Sequence, residues 1–371
     1  MIIGVPAEVK NNEYRVGMIP AGVRQLVKAG HNVLVQKDAG EGSGVTNAEY
    51  EEAGAVIVPT PEDVYGAADM IVKVKEPVAG EYDLVREGQV VFTYFHFASS
   101  RDLTEAMMRR KAVCIAYETI ESAEGRLPLL TPMSEVAGRM SVHEGAKYLE
   151  KPMTGRGVLL SGVPGVEAAE VLVLGGGVVG ANAARIAAGL GARVTLMDVS
   201  LDRLRHLADV MPPNVFTVMS NEDNIREHLR NADLVIGAVL VVGARAPHLV
   251  TRDMLPGMKN GSVIVDVAID QGGCVETARP TTHDDPVFVV DGVVHYCVAN
   301  MPGAVSRTST YALTNATTPY AVRIASLGYA ECARRDPGFA KGINMVDGMV
   351  TCKAVADAFG IGQYTPVARF L

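Results

Sequence analysis

The chain has 371 residues, with 34 Lys and Arg against 42 Asp and Glu, so its formal net charge is −8. Apolar residues make up 48% and charged residues 20%, a balance that excludes a disordered or fibrous chain. An acidic chain without a Lys/Arg-rich block is not expected to have nucleic acid as its main partner. No apolar run approaches the ~18 uncharged residues of a membrane helix.

The N-terminal residues and the cysteines indicate in which compartment of the cell the protein is expected. The apolar start of the chain meets its first charge at Glu8, too early for a signal peptide, and it predicts a first strand. Five cysteines lie far apart and form no CxxC pattern. An odd number without a pairing scheme favours reduced thiols, so we expect a cytoplasmic protein.

The first third of the chain alternates short apolar runs with helical patterns. Continuous apolar strands that alternate with helices indicate a parallel sheet covered on both faces. Strands are predicted at residues 2–5, 32–36, 55–58, 70–74, 89–94 and 112–117. Helices are predicted between them at residues 21–29, 48–53 and 101–110.

A long helix is predicted next, at residues 134–149, because Ser134 can cap its start and Glu135 suits its first turn. After Ser306 the chain is expected to be helical to its end, without a further strand series. Between these helical parts lies a second series of apolar runs. Its strands are predicted at residues 171–174, 193–198, 215–220, 234–241, 262–268 and 294–299.

The strongest motif is a GxGxxG pattern formed by Gly175, Gly177 and Gly180 directly after an apolar run. The first glycine permits a tight turn, the second lets a pyrophosphate approach the backbone, and the third lets a helix pack closely. The N-terminus of that helix offers free N–H groups to phosphates. A glycine-rich turn without a ligand is the alternative, but the flanking strands and the small-residue helix favour dinucleotide binding.

Asp198 ends the second strand of this series, 18 residues after Gly180. It is expected to accept hydrogen bonds from ribose hydroxyls, and its charge would repel a 2′-phosphate, so NAD is favoured over NADP. Arg203 is either an exposed helix cation or a cofactor contact, and Asp198 is ranked as dominant. Asp270 also follows a predicted strand, and a turn or cap role is its alternative.

The pattern as a whole predicts an α/β fold of two doubly wound parallel-sheet lobes. A Rossmann lobe would be inserted in a discontinuous substrate lobe, with long helices joining the two. The predicted boundaries are residues 1–129 for the first part of the substrate lobe, 130–306 for the nucleotide lobe with its linking helix, and 307–371 for the helices that complete the substrate lobe. A cleft between such lobes is a common ligand site, and its closure would expel water.

Four polar residues follow predicted strands of the first lobe: Arg15, Lys75, His96 and Glu118. Strand ends of one parallel sheet face one edge, so these side chains could converge on a small anionic keto or amino acid. Arg grips carboxylates bidentately, and His exchanges protons near neutral pH. Taken singly, the cations could be solvated surface charges and His96 a surface or core histidine. No metal is expected, since no His/Asp/Glu cluster has metal-ligand spacing.

Several segments together resemble the alanine dehydrogenase and pyridine nucleotide transhydrogenase N-terminal family over essentially the whole chain. The sequence stretches that carry the resemblance are GVPAEVK with NEYRV near the N-terminus, VKVKEP, TYFH, TPMSE, the glycine motif, DVAIDQGG and NMPG. The resemblance implies reversible NAD-dependent oxidative deamination of L-alanine to pyruvate and ammonium, and homohexamers are usual in such enzymes.

The same resemblance implies residue roles. Arg15 and Lys75 would bind substrate, His96 and Asp270 would be catalytic, and Met133 could cover the methyl group. For NAD it implies, besides the three glycines, Ser134, Val178, Val179, Asp198, Arg203, Ser220, Val239, Leu240, Val267, Ala268, Ile269, Asp270, Arg279, Val298, Ala299, Asn300 and Met301. The alternatives are the NAD-binding subunit of a proton-translocating transhydrogenase and a catalytically silent NAD-binding protein.

Overall fold

The computed structural model describes residues 1–239, 246–361 and 364–371. The chain divides into two compact units, the first formed by Met1–Met133 with Gly303–Leu371 and the second by Ser134–Pro302. The strands are β1 (Ile2–Val5), β2 (Asn32–Gln36), β3 (Val56–Val58), β4 (Met70–Val72), β5 (Val90–Thr93), β6 (Val113–Ala116), β7 (Glu170–Leu174), β8 (Arg193–Asp198), β9 (Val215–Met219), β10 (Leu234–Gly237), β11 (Val263–Asp266), β12 (Val287–Val290), β13 (Val293–Tyr296), β14 (Ile343–Val346) and β15 (Met349–Val350). The helices are α1 (Pro20–Lys28), α2 (Asn47–Glu52), α3 (Pro61–Ala67), α4 (Arg101–Arg110), α5 (Thr131–Tyr148), α6 (Val178–Gly189), α7 (Leu201–Val210), α8 (Glu222–Leu229), α9 (Ser306–Leu327), α10 (Tyr329–Arg335), α11 (Pro337–Ala340) and α12 (Lys353–Phe359).

The described part of the first unit forms an eight-stranded sheet in the order β15-β14-β6-β5-β4-β1-β2-β3. Strands β1 to β6 pair in parallel, as the apolar runs predicted, and each lies within two residues of its predicted bounds. The expectation that no strand follows Ser306 is wrong. Strand β14 pairs antiparallel with β6 and with β15. Asp347 and Gly348, with positive φ angles of 49° and 73°, close the tight hairpin between β14 and β15.

The described part of the second unit forms a seven-stranded sheet in the order β12-β13-β11-β10-β7-β8-β9. Its strands pair in parallel except at the β12–β13 edge, where a second hairpin turns at Asp291 and Gly292. Strand β12 was not predicted from the sequence. The predicted strand at 234–241 ends earlier, at Gly237, and residues 240–241 lie outside the described part of the chain.

Local signals account for several helix starts. Thr46 and Glu49 form a reciprocal capping box at α2, and Thr60 and Asp63 form another at α3. The predicted capping role of Ser134 is wrong, since α5 begins three residues earlier, at Thr131. Pro132 suits a first helical turn because that turn needs no donor from its nitrogen.

Each unit has its own apolar core. In the first, Tyr65, Phe95, Phe97, Leu103 and Met107 pack together from α3, α4 and the end of β5. In the second, the core packs the central strands against α8 and the segment after β10, and includes Leu172, Met197, Ile225, Leu255 and Ile264. Within the three described ranges, no helix combines the length and the hydropathy needed to cross a membrane.

Candidate substrate and nucleotide sites

The carboxyl ends of β1, β4, β5 and β6 lie at one edge of the first sheet, because these strands are parallel neighbours. The loop after β1 carries Arg15, and Lys75, His96 and Glu118 follow the other three strands. These four residues therefore follow neighbouring parallel strands of the first unit, and the convergence of their side chains on a substrate stays a prediction.

Arg15 is almost completely buried and is held by Glu13 of the same loop. Its Nε donates to Glu13 Oε1 at 2.6 Å and its Nη2 to Oε2 at 2.5 Å, a bidentate ion pair. Nη1 lies 3.1 Å from the sulfur of Met133. Burial by itself would lower the pKa of Arg15, but the bonds to Glu13 outweigh it and raise that pKa above its usual value. The guanidinium is a charged group fixed beside an apolar side chain.

His96 presents an exposed ring from a strained piece of backbone. Its φ angle is 49°, in the left-handed region, and its ring stacks on Tyr94 with centroids 5.8 Å apart. Its backbone N–H donates to Glu118 Oε1 at 2.6 Å. Tyr94 is anchored in turn, since its hydroxyl donates to the Leu129 carbonyl at 2.5 Å.

Lys75 is half-buried, and its backbone N–H points to a carboxylate that sequence analysis overlooked. Oε2 of Glu8 lies 3.4 Å from that N–H, and Oε1 accepts from Val74 N–H at 2.7 Å. Glu8 thus holds the turn from which the Lys75 side chain departs.

Lys73 is fully buried between two carboxylates, a further feature that sequence analysis missed. Its Nζ lies 2.8 Å from Glu81 Oε1 and 3.4 Å from Glu8 Oε2. Burial raises the pKa of Glu8, and the Lys73 charge and the bond from the Val74 N–H oppose the rise. A lysine inside an apolar strand run was the available signal, since a buried cation needs a partner.

The glycine turn of the second unit fits a pyrophosphate. A Cβ on Gly175, whose φ is 101°, would lie 2.6 Å from the Ala238 carbonyl oxygen, and one on Gly180 would lie 1.8 Å from that of Gly175. Apart from Gly177 itself and its two chain neighbours, no atom of the described residues lies within 4 Å of a Cβ built on Gly177. The first and third glycines are therefore required by the protein itself, whereas the space at the second remains for a ligand at the start of α6.

Asp198 braces this turn. Its two oxygens accept the N–H groups of Gly176 and Ser200 at 2.7 and 2.8 Å. Arg203 donates from Nε to the Gly176 carbonyl at 2.6 Å. Asp198, the predicted ribose contact, and Arg203 thus both hold the glycine turn. A cavity of about 290 Å³, lined in part by Val199 and Ser220, lies where β8 and β9 end.

The loop that carries Asp270 is organised around the buried carboxylate of Asp266. That carboxylate accepts the N–H groups of Ala268, Cys274 and Val275 at 2.9 to 3.1 Å. Burial raises its pKa, and the N–H bonds oppose the rise. Asp270 itself is exposed at the surface of this loop. Asp270 was a candidate site residue in the sequence, whereas no role was predicted for Asp266.

The other predicted cofactor residues, apart from Leu240, fall into two groups. Most follow parallel strands at the carboxyl edge of the second sheet: Val178, Val179, Ser220, Val239, Val267, Ala268, Ile269, Val298, Ala299, Asn300 and Met301. Two lie elsewhere in the fold, since Ser134 is part of α5 and the exposed Arg279 places its guanidinium 4.4 Å from the Phe288 ring centre. Leu240 lies outside the described residues.

The second unit, with its parallel sheet and glycine turn, defines an α/β protein of the Rossmann type. Residues 4–137 match the family model described as alanine dehydrogenase/PNT, N-terminal domain, and residues 141–353 match the one described as its C-terminal domain. The chain belongs to this alanine dehydrogenase and transhydrogenase family, whose members use a nicotinamide cofactor.

Full-length relatives agree with this assignment. An alanine dehydrogenase of Methanococcus maripaludis and one of Halomonas elongata are each 55% identical to this chain, with complete coverage of both sequences. A solved L-alanine dehydrogenase is 50% identical, with a TM-score of 0.94 over 97% of this chain and 99% of that one. A transhydrogenase from Sinorhizobium meliloti is more distant, with 27% identity and a TM-score of 0.81 over 94% of this chain and 100% of that one.

Proposed function

We propose that the chain catalyses the reversible NAD-dependent oxidative deamination of L-alanine to pyruvate and ammonium. The observation that carries the proposal is the buried Arg15 guanidinium, fixed by Glu13 at 3.1 Å from the Met133 sulfur. A fixed guanidinium beside an apolar side chain suits a carboxylate that bears a small aliphatic group. The names and full coverage of the relatives support the same reaction.

Two cations bind the substrate in this proposal. Arg15 anchors the carboxylate, and Lys75 steadies the carboxylate and polarises the carbonyl oxygen of pyruvate. Met133 covers the methyl group. Glu13 fixes the guanidinium of Arg15 before substrate arrives, and Glu8 holds the backbone from which the Lys75 side chain departs.

Two side chains move protons. His96 transfers a proton to and from the substrate oxygen, a role that suits its exposed imidazole ring. Asp270 takes a proton from the amine or from the attacking water. NAD, when bound, supplies the acceptor of the hydride that leaves the substrate Cα.

The cofactor site is proposed at the glycine turn and the strand ends of the second unit. Open space at Gly177 receives the pyrophosphate, and the carboxylate of Asp198 accepts the ribose hydroxyls. Bonds to a charged group contribute about 1.5–3 kcal/mol each, and a 2′-phosphate would be repelled, so NAD is preferred to NADP.

A turnover assay tests the reaction. The chain incubated with L-alanine and NAD should produce NADH, and NADP should be a poor substitute. His96→Ala and Asp270→Asn should remove most turnover and leave NAD affinity near that of the parent. His206→Ala, a change to an exposed histidine of α7, is the matched control and should stay active.

The structural similarity to a transhydrogenase defines the second candidate, an NAD-binding subunit of such an enzyme. It predicts hydride exchange between two nicotinamide nucleotides in the presence of partner subunits, and no NADH from alanine. NAD binding without either activity would instead favour a silent NAD-binding protein.

A homo-oligomer, most simply a hexamer, is also proposed. The segment around the Val163–Val166 bridge is exposed and apolar, with Leu159, Val163 and Val166 each more than half exposed. Light scattering on the purified chain tests it. A cytoplasmic location is proposed as well, because a reducing compartment would keep the buried cysteines as thiols.

A further inference from the structure

The residues around Arg15 form a preorganised arrangement that the proposed reaction alone does not explain. Glu13 and Arg15 are two residues apart, and both side chains are almost completely withdrawn from solvent. Glu13 accepts three bonds from Arg15, one from the backbone N–H at 3.1 Å and two from the guanidinium. Such a contact fixes the position and the rotation of the guanidinium plane.

The backbone of this loop is fastened independently of that ion pair. The Glu13 N–H donates to the Lys10 carbonyl, and Asn12 has a left-handed φ of 57°. The hydroxyl of Ser43 donates to the Tyr14 carbonyl at 2.9 Å, and the N–H of Val16 donates to Thr310 Oγ1 at 3.2 Å. The loop therefore retains anchors to the segment before α2 and to α9 when the Glu13 charge is removed.

The orientation of the ion pair has a chemical consequence. The Glu13 carboxylate accepts hydrogen bonds from Nε and Nη2 of the guanidinium, whereas Nη1 is directed to the Met133 sulfur. A substrate carboxylate that binds at Nη1 would lie next to Met133, so the bonds from Glu13 fix which end of the guanidinium faces that side chain. Without Glu13, the guanidinium could rotate about its long side chain and lose that direction.

We propose that Glu13 is a positioning residue that sets the orientation in which Arg15 receives the substrate carboxylate. This inference rests on the proposed function, because it takes Arg15 as the carboxylate anchor. Glu13 acts through Arg15 and transfers no proton to substrate or cofactor. Its removal should therefore weaken the binding of alanine and pyruvate and leave nucleotide binding unchanged.

A double-mutant cycle on the full chain tests the proposal. Glu13→Gln should raise KM for L-alanine by about tenfold or more, the equivalent of one bond between charged groups. In the Arg15→Lys background the same change should raise KM by less than about threefold, because the guanidinium that Glu13 orients is gone. Glu13→Asp, which keeps the charge with a shorter reach, should lie between Glu13→Gln and the parent.

The controls separate orientation from general damage. Tyr14→Phe removes the bond from the exposed Tyr14 hydroxyl to Asn12 in the same loop and leaves the ion pair intact, so its KM should match the parent. KM for NAD should change little in all variants. The melting temperature of Glu13→Gln should fall, because the buried Arg15 charge loses its partner, so kinetics are compared at a temperature at which every variant is folded. If Glu13→Gln does not fold, the Glu13→Asp cycle takes its place, with the same expected loss of effect in the Arg15→Lys background.

Distinct results overturn the inference and the proposed function. Equal effects of the Glu13 change in both backgrounds, or a parental KM in Glu13→Gln, would contradict the role of Glu13. A wild-type chain that makes no NADH from alanine would contradict the proposed reaction instead. Calorimetric titration of the NADH-loaded chain with pyruvate provides the same cycle without turnover, and a variant that binds pyruvate as well as the parent would overturn the inference.

Discussion

The backbone N–H of His96 donates a 2.6 Å hydrogen bond to the carboxylate of Glu118, which lies 22 residues further along the chain. The N–H of Phe95 lies 3.3 Å from both oxygens of the same carboxylate. His96 has a positive φ, and such backbone strain costs roughly 1–3 kcal/mol and persists only where the surroundings hold it. Glu118 is therefore the anchor of the segment that presents the imidazole.

We predict from this anchor that Glu118→Ala lowers kcat for L-alanine by about tenfold or more, because the imidazole loses its fixed position. KM for NAD should stay near that of the parent, since the glycine turn belongs to the other unit. Steady-state kinetics in both substrates measure the two effects. Glu124→Ala, at an exposed acid nearby in sequence, is the control, and an unimpaired Glu118→Ala would contradict the anchor role.

The burial of Lys73 between two carboxylates leads to a prediction about the free energy of unfolding. Lys73→Met leaves Glu8 and Glu81 buried without their cation, so the free energy of unfolding should fall by about 3–5 kcal/mol. Denaturant unfolding measures the change. The exposed pair of Lys111 with Glu87 provides the control, because Lys111→Met should cost no more than about 1 kcal/mol. Equal losses in the two variants would refute the structural importance of the buried cation.

Two glycines of the nucleotide turn should respond differently to the same substitution. Gly180→Ala places a methyl group 1.8 Å from a carbonyl oxygen and should lower the melting temperature. Gly177→Ala places its methyl group in open space among the described residues, with an ordinary φ of −66°, so the fold should remain stable. NAD affinity of Gly177→Ala should nonetheless fall by about tenfold or more, because the pyrophosphate loses its approach.

Thermal melting and NAD titration of both variants check this contrast. Gly189→Ala, in the last turn of α6 with open space at its Cβ among the described atoms, is the control for an added methyl group. Unchanged NAD affinity in Gly177→Ala would mean that the pyrophosphate does not use this turn.

The buried His295 predicts a pH dependence of stability. Burial lowers the pKa of His295, although its bond to the Val293 carbonyl opposes the shift. The unfolded chain therefore takes up a proton below the ordinary value of 6.5 while the folded chain does not. Stability is full above that pH and should decrease as the pH falls below it.

Unfolding free energies at a series of pH values from about 7 to about 5 measure this loss. In His295→Gln the decrease should be smaller than in the parent, since one such histidine is absent. His206→Gln, at an exposed position, should keep the parental slope. An identical slope in His295→Gln would remove His295 as the cause.

Sequence patterns located β1 to β6 within two residues, because apolar runs between helices are sufficient evidence for buried parallel strands. They failed at the two hairpin edges, where β12, β14 and β15 were not predicted. Both hairpins turn at an Asp-Gly pair, Asp291-Gly292 and Asp347-Gly348, with positive φ at each residue. An Asp-Gly pair between two apolar runs indicates a β-hairpin, but the strand predictions did not take it into account.

The candidate substrate residues were chosen for their position after strands, and the resemblance assigned their roles. Their partners could not be found in this way. Glu8 holds the Val74 N–H from 66 residues away, and Glu118 holds His96 from 22 residues away. Glu13 is close to Arg15 in sequence, but spacing alone does not indicate that both side chains are buried against each other.

The amino-acid sequence by itself determined the strand series, the glycine turn and the acidic residue after the next strand. These features depend on short-range backbone geometry, on glycine's tolerance of unusual φ angles and on the burial of contiguous apolar residues. Only the tertiary structure decided which carboxylates hold the cations and the imidazole. Burying a charge costs free energy unless an opposite charge or a hydrogen bond compensates for it. That requirement arises only when distant segments have packed together, so it cannot be found in the local sequence.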